Sequence, residues 1–221
     1  MPKYTLDLST TFSFFAPIFV ALLIAILFSS FNSVPPKDVP EPPPANVQFV
    51  RAYIDQRYPD FDLNEYIYVS IKEQSLYLIR NDKVVSAYPV STARKGSGEQ
   101  WASECTPRGL HQIGRKWGDG CPLNSILLGG SCTGKTARII DYDSPKDYIT
   151  TRSMELVGAE TGMNESGNVD TGKRGIYIHG THEEGLIGTP VSHGCVRMLN
   201  KDVLDLFDRV NSGTYVLILP L

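Results

Sequence analysis

The chain has 221 residues, of which 42% are apolar and 20% charged, with a formal net charge of −3. This is ordinary globular composition, and without a basic stripe it argues against a nucleic-acid-binding protein. Only four histidines and four cysteines are present, so where each one falls is informative.

Residues 1–11 form a short tail. The run FSFFAPIFVALLIAILFSSF at 12–31 carries no charge, and about 20 such residues can cross a hydrocarbon core as a helix. A cleavable signal has a shorter apolar region and a small-x-small exit. SSFNSV is a poor exit of that kind, so one retained N-terminal transmembrane helix is expected, with secretion after signal cleavage as the alternative. Lys3 and the amino terminus are partly offset by Asp7, which leaves a weak orientation signal. The remainder of the chain is expected on the extracytoplasmic, periplasmic side, held to the membrane by that helix. The proline-rich stretch at 32–46 reads as an extended, semi-rigid spacer, slack between anchor and domain.

Residues 47–64 read as a short helical lead-in. Asn46 is placed to cap a helix with Val47, Val50 and Ile54 on one stripe. From residue 65 onward a single domain is expected. EYIYVSI alternates Ile67, Val69 and Ile71 against Tyr66, Tyr68 and Ser70. SLYLIR and VVSAYPVST follow after short polar breaks, which predicts an antiparallel three-strand meander. The middle, 94–172, is rich in Gly, Ser, Thr and Asp and has little periodicity. Order returns at RGIYIHG, where Ile176 and Ile178 oppose Tyr177 and His179. Asn200 is then expected to cap a helix burying Val203, Leu206, Phe207 and Val210, and TYVLIL closes the chain as a strand. The fold class is mainly β with a few short helices; no strand–helix alternation supports a parallel α/β sheet.

GGSCTGKT at 129–136 fits the phosphate-loop pattern in full. Such a loop needs a buried parallel strand before it and a helix after it, whose N-terminal amides face the phosphates. ARIIDYDSP offers barely two turns before Asp143, Ser144 and Pro145 break it. A glycine-rich surface loop is therefore expected, without nucleotide binding.

VSHGCVRM at 191–198 sets His193, Cys195 and Arg197 two apart, on one face of an extended chain. Gly194 between them permits close backbone approach. Upstream, His179 ends a strand. A thiol beside imidazoles and a fixed cation has its pKa lowered, and the thiolate is the nucleophile. A zinc site is the competing interpretation, since His179, His182, His193 and Cys195 could supply tetrahedral ligands. Against it, His182 in the polar run THEEG reads better as a solvated loop residue. Buried packing is the third possibility, and residue chemistry alone leaves all three open.

These residues resemble the catalytic domain of L,D-transpeptidases, the YkuD-like cysteine enzymes of bacterial cell walls. That family carries an upstream His, then [ST]HGC and often an Arg. Here those positions are His179, Ser192, His193, Gly194, Cys195 and Arg197. SIKEQSLYLI, AYPVST, TPRG at 106–109 and NKDVLDLFDRVNSGTYVLI also resemble the family, over roughly 65–219. The loop from His179 to Ser192 is somewhat short, and GEQWASEC with GDGCPLNSILLGGSCTGKT looks like a local elaboration.

The resemblance implies a β-sandwich or barrel-like catalytic fold over 65–221. It also implies a cysteine-dependent L,D-transpeptidase acting on peptidoglycan peptide stems through a thioester, with no metal or cofactor required. Cys195 would be the nucleophile and His179 the proton donor and acceptor, with His193 supporting the cysteine loop. The backbone N–H groups of Gly194 and Cys195 would form the oxyanion hole. Arg197 would anchor a stem carboxylate, with a plain salt bridge as its alternative. Ser192 and Tyr177 would line the substrate site or brace it. An L,D-carboxypeptidase of the same chemistry is the enzymatic alternative, and a zinc-binding wall-associated module is the alternative from another class. Of Cys105, Cys121 and Cys132, two could pair outside the cytoplasm, leaving one free, with three buried reduced thiols as the alternative.

Overall fold

The computed structural model describes residues 39–221. The expected membrane span at 12–31 lies outside them, as do the tail and the first part of the spacer. Among the described residues no helix is long and apolar enough to cross a membrane.

Helix α1, Val47–Arg57, forms as its sequence predicts. The Asn46 side chain accepts the Phe49 N–H at 3.0 Å, and Val50 and Ile54 are buried. The last part of the spacer is not slack. The Pro43 carbonyl accepts the Tyr77 hydroxyl at 2.7 Å, and Ala45 packs on the core beneath α1.

The meander is present as β1 (Glu65–Ser70), β2 (Ser75–Arg80) and β3 (Lys83–Ser91), paired antiparallel in order. Both of its faces are covered. Ile67, Val69, Leu76 and Leu78 enter one core, while Tyr66, Tyr68, Tyr77 and Ile79 enter the other, beneath α1. Four more strands arise in the segment without periodicity: β4 (Gly109–Trp117), β5 (Ser125–Leu128), β6 (Ser131–Thr136) and β7 (Ile149–Gly158). Strands β8 (Tyr177–Thr181) and β9 (Val196–Met198), helix α2 (Asn200–Arg209) and strand β10 (Tyr215–Leu219) complete the domain.

The strand order is β4-β10-β1-β2-β3-β9-β8-β7-β5-β6, and β4 also pairs with β7. That extra pairing closes eight strands into a ring and leaves β5–β6 as a hairpin hanging from β7 through Ile126 and Thr150. The mainly β, barrel-like expectation therefore agrees with the structure. Helix α2 packs Val203, Leu206, Phe207 and Val210 into the first core, as predicted.

Asn200 does not cap that helix. It is the first helical residue, and its buried amide is a polar hub instead. It accepts from the Thr150 hydroxyl at 2.6 Å and donates to the Thr181 carbonyl at 2.7 Å. The Glu184 carboxylate takes the Asn200 N–H at 2.7 Å, in the place a cap would fill. The phosphate-like sequence at 129–136 is the turn and second strand of the β5–β6 hairpin. A strand follows its glycines where a phosphate loop needs a helix, so the surface-loop expectation is replaced by a β-hairpin and no anion cradle forms.

Candidate active site

Strands β8 and β9 run parallel, with Ile178 opposite Val196 and His179 opposite Arg197. Ile178 and Val196 belong to the first core. Since side chains alternate along strands, Tyr177, His179 and Arg197 project to the other face. Cys195 stands one residue before β9, beside Tyr177. The Tyr177 N–H donates to the Cys195 sulfur at 3.4 Å, and the Cys195 thiol lies 3.7 Å from the Gly175 carbonyl.

The extended run expected for 193–197 is corrected. Residues 193–195 bend, and the strand begins only at Val196. Gly194 adopts φ +132°, and a Cβ there would stand 2.8 Å from Ile176 Cδ1, so a side chain would be strained and would displace Ile176. His193 still returns to the side of Arg197, because Asp147 Oδ2 accepts from both, at 3.2 Å from His193 Nδ1 and 2.7 Å from Arg197 Nη2.

Ser192 and Thr106 build this turn. The Ser192 hydroxyl donates to the Cys195 carbonyl at 2.6 Å and accepts the Gly194 N–H at 3.2 Å. The Thr106 hydroxyl donates to the Gly194 carbonyl at 2.9 Å and accepts the Ala93 N–H at 2.9 Å. Two expectations change as a result. Ser192 is buried and committed to the loop, not to substrate, and the Gly194 N–H is already occupied. Of the pair expected to serve an oxyanion, that leaves the Cys195 N–H.

His179 is 1% exposed, with Nδ1 2.8 Å from the Gly180 carbonyl. A carbonyl only accepts, so this contact assigns the proton to Nδ1 and leaves Nε2 with its lone pair. Burial holds the imidazole below its ordinary pKa and Arg197 adds to that effect. Asp147 and the Gly180 contact oppose it without reversing it. Cys195 is partly exposed, yet its thiol is not lowered as expected. Burial, with a smaller push from Asp147, raises it to about 11. The Tyr177 amide, Arg197 and Arg174 pull the other way. The resting pair is therefore neutral thiol and neutral imidazole.

Arg197 is 1% exposed and already holds two carboxylates, Asp147 at 2.7 Å and Glu183 at 2.5 Å. A guanidinium so enclosed has no free fork for a substrate, so the salt-bridge alternative is the one realised. Burial raises Asp147, but His179, Arg197 and His193 together hold it below the usual carboxylate range. His182 is not solvated. It is 4% exposed, with its ring 4.8 Å from that of Tyr148 and its Nδ1 without a partner. Among the described residues no three His, Cys, Asp or Glu side chains converge as metal ligands. Glu183 and Asp147 escaped the sequence reading because nothing in their polar loops marks Glu183 as buried or Asp147 as the partner of Arg197.

Tyr177 lines a cavity of about 240 Å³, together with Ser153, Trp117, Leu127, Gly130 and Ile149. Ser153 pairs directly with His179 across β7 and β8, so this cavity adjoins the thiol–imidazole face. The hairpin turn closes over it. A Cβ on Gly130 would lie 2.4 Å from Trp117 Cδ1, and Trp117 meets Tyr177 edge-on at 5.7 Å. Of the three remaining cysteines, Cys121 and Cys132 form a disulfide that ties this hairpin to the loop preceding it, and Cys105 is free.

A closed β domain that sets a cysteine at the entry to one strand and a neutral histidine on the adjoining parallel strand defines a thiol–imidazole site. A family profile for the L,D-transpeptidase catalytic domain, YkuD, matches residues 64–218, and the chain belongs to that family. YqjB of Bacillus subtilis, named among the L,D-transpeptidases, is 29% identical over 154 residues, covering 69% of this chain and 70% of that protein. YkuD of Bacillus licheniformis is 54% identical over 48 residues, 22% of this chain and 29% of that protein. Among solved structures, the L,D-transpeptidase from Mycobacterium smegmatis is 16% identical, with a TM-score of 0.45, covering 71% of this chain and 58% of that one. The similarity thus spans less than two thirds of the B. licheniformis and M. smegmatis proteins.

Proposed function

We propose that the protein is a cysteine-dependent L,D-transpeptidase that acts on peptidoglycan stem peptides through a thioester acyl-enzyme. The observation that carries this proposal is the placing of Cys195 at the entry to β9, its sulfur on the Tyr177 amide, with His179 two residues further along the adjoining strand β8 and its Nδ1 fixed on the Gly180 carbonyl. In this mechanism Cys195 is the nucleophile. Its thiol, at about 11, stays protonated near neutrality, so His179 Nε2 takes the proton as the sulfur attacks the donor carbonyl. The Cys195 N–H and preorganised dipoles around it stabilise the tetrahedral oxyanion. When the C–N bond breaks, the imidazolium returns the proton to the leaving D-alanine amine. An acceptor amine then attacks the thioester, His179 takes its proton, and the proton passes back to the departing sulfur.

His193 supports the loop through Asp147, and Tyr177 orients the sulfur through its amide while its ring lines the donor cavity. The reading extends to location. The apolar run at 12–31 anchors the domain on the periplasmic side of the membrane, and the Cys121–Cys132 disulfide supports an oxidising compartment. Protease treatment of intact spheroplasts should therefore remove the domain, whereas protection would place it in the cytoplasm.

The deciding experiment is intact mass after incubation with a defined tetrapeptide muropeptide, with and without an acceptor amine. A mass gain lost in Cys195→Ala and turned into cross-linked product by acceptor supports transfer. Free tripeptide in the presence of acceptor would identify a carboxypeptidase, and no adduct at all would rule out the thioester.

A further inference from the structure

With Arg197 enclosed, the site has a second arginine that is not. Arg174 is half-buried and directly precedes Gly175, whose carbonyl lies 3.7 Å from the Cys195 sulfur. Its guanidinium donates to the Gly98 carbonyl at 3.0 Å, the Ser103 hydroxyl at 3.2 Å and the Cys105 carbonyl at 2.6 Å. The same Cys105 carbonyl lies 3.3 Å from where a Gly194 Cβ would stand. The guanidinium therefore sits against the wall of the nucleophile's own turn. None of its partners is a carboxylate. Glu99, the acid whose charge reaches it, is committed through both oxygens to Arg108, at 2.7 and 3.1 Å. A partly exposed cation paired only with neutral groups keeps its attraction for an incoming anion. Two of its five N–H groups also remain after those three bonds.

We propose that Arg174 binds the terminal carboxylate of the donor peptide, the one carried by the residue that leaves. The inference rests on the thioester mechanism proposed above and names the recognition element of that same site. In a donor stem the carboxylate carbon follows the carbonyl under attack by three bonds, about 4 Å at most. A group poised to hold that carboxylate must therefore flank Cys195 closely. Arg174 bonds the Cys105 carbonyl that backs Gly194, the residue next to Cys195, and its charge opposes the effect of burial on the thiol. Its contacts with the 98–105 loop give that otherwise unexplained elaboration a role, as the cradle that aims the guanidinium.

The test uses the full chain with Cys195→Ala, so that binding is read without turnover. A synthetic tetrapeptide stem ending in D-alanine is titrated by calorimetry as the free acid and as its C-terminal amide. The acid should bind roughly 10-fold or more tighter than the amide, as expected for a charge-assisted pair. Arg174→Met should bring that ratio to near one, and Arg174→Lys should retain part of it. If Arg174→Met weakens acid and amide alike, the arginine only supports the loop and the proposal falls. An unchanged ratio, or no binding of the acid, overturns it equally. Failure of the unmodified enzyme to form an acyl adduct would count against the thioester mechanism alone, because the acid-to-amide ratio is read independently of it.

Discussion

Asp147 and Arg197, far apart in the chain, meet in a 2.7 Å ion pair beneath the nucleophile's turn. Asp147 raises both the Cys195 thiol and the His179 imidazole. Asp147→Asn removes that charge, so both groups should titrate lower. In a Cys105→Ser background, the pH midpoint of Cys195 alkylation by iodoacetamide should lie near 11 in the parent and fall in the variant. The acid limb of acyl-enzyme formation should also move to lower pH. A midpoint that stays put or rises would show that Asp147 does not set the field at the sulfur.

Arg197 is expected to matter through stability. Arg197→Met leaves Asp147 and Glu183 facing each other without their cation. Breaking a buried pair from one side costs about 3–5 kcal/mol, to be read as a lower urea midpoint. A normally stable Arg197→Met protein with only a raised donor KM would restore the substrate-anchoring role.

The disulfide is expected to act locally. Cys121 and Cys132 are 11 residues apart, and closing so short a loop contributes about 3 kcal/mol at most. The double Cys→Ser variant should melt earlier and exchange amide hydrogens faster in β5–β6. Because that hairpin roofs the cavity beside Tyr177, the donor KM should rise more than kcat falls. Equal exchange rates in the two proteins would sink this expectation.

His111 links stability to pH. It is fully buried between the Gly109 carbonyl and the Thr171 hydroxyl, and burial lowers its pKa from 6.5 to about 4. As pH falls below 6.5, the unfolded chain takes up a proton that the folded chain refuses. Stability therefore declines across pH 6.5 to 4, by up to about 3 kcal/mol. His179, also held low, adds in the same direction. Denaturant midpoints at pH 7 and 4.5 should differ accordingly, and His111→Gln should reduce the difference.

Elements with one clean period were legible from residues alone. Helices α1 and α2 each bury the stripe that recurs in the sequence, and the meander and the last strand form where their apolar runs lie, although both of their faces are buried. Strand β7 was not legible, because Thr150, Thr151, Arg152, Ser153 and Glu155 are polar and yet buried. Their polarity is satisfied by distant partners: Asn200 for Thr150, the Cys121 carbonyl for Arg152, and Arg115 for Glu155. Asn200 shows the same limit, since a residue type suited to capping was taken up by threonines from another strand.

The order of chemical groups in VSHGCVRM, the upstream histidine and the resemblance they carry were fixed by the sequence itself. Covalent neighbours are local facts, whereas the bend at 193–195 is not, and an extended run was expected there. What only the tertiary structure decided is the electrical state of those groups. The thiol is raised instead of lowered, Arg197 is spent on Asp147 and Glu183, and Arg174 is left without an acid. Burial and charge pairing depend on which distant segments close over a residue, and neither can be read from spacing along the chain.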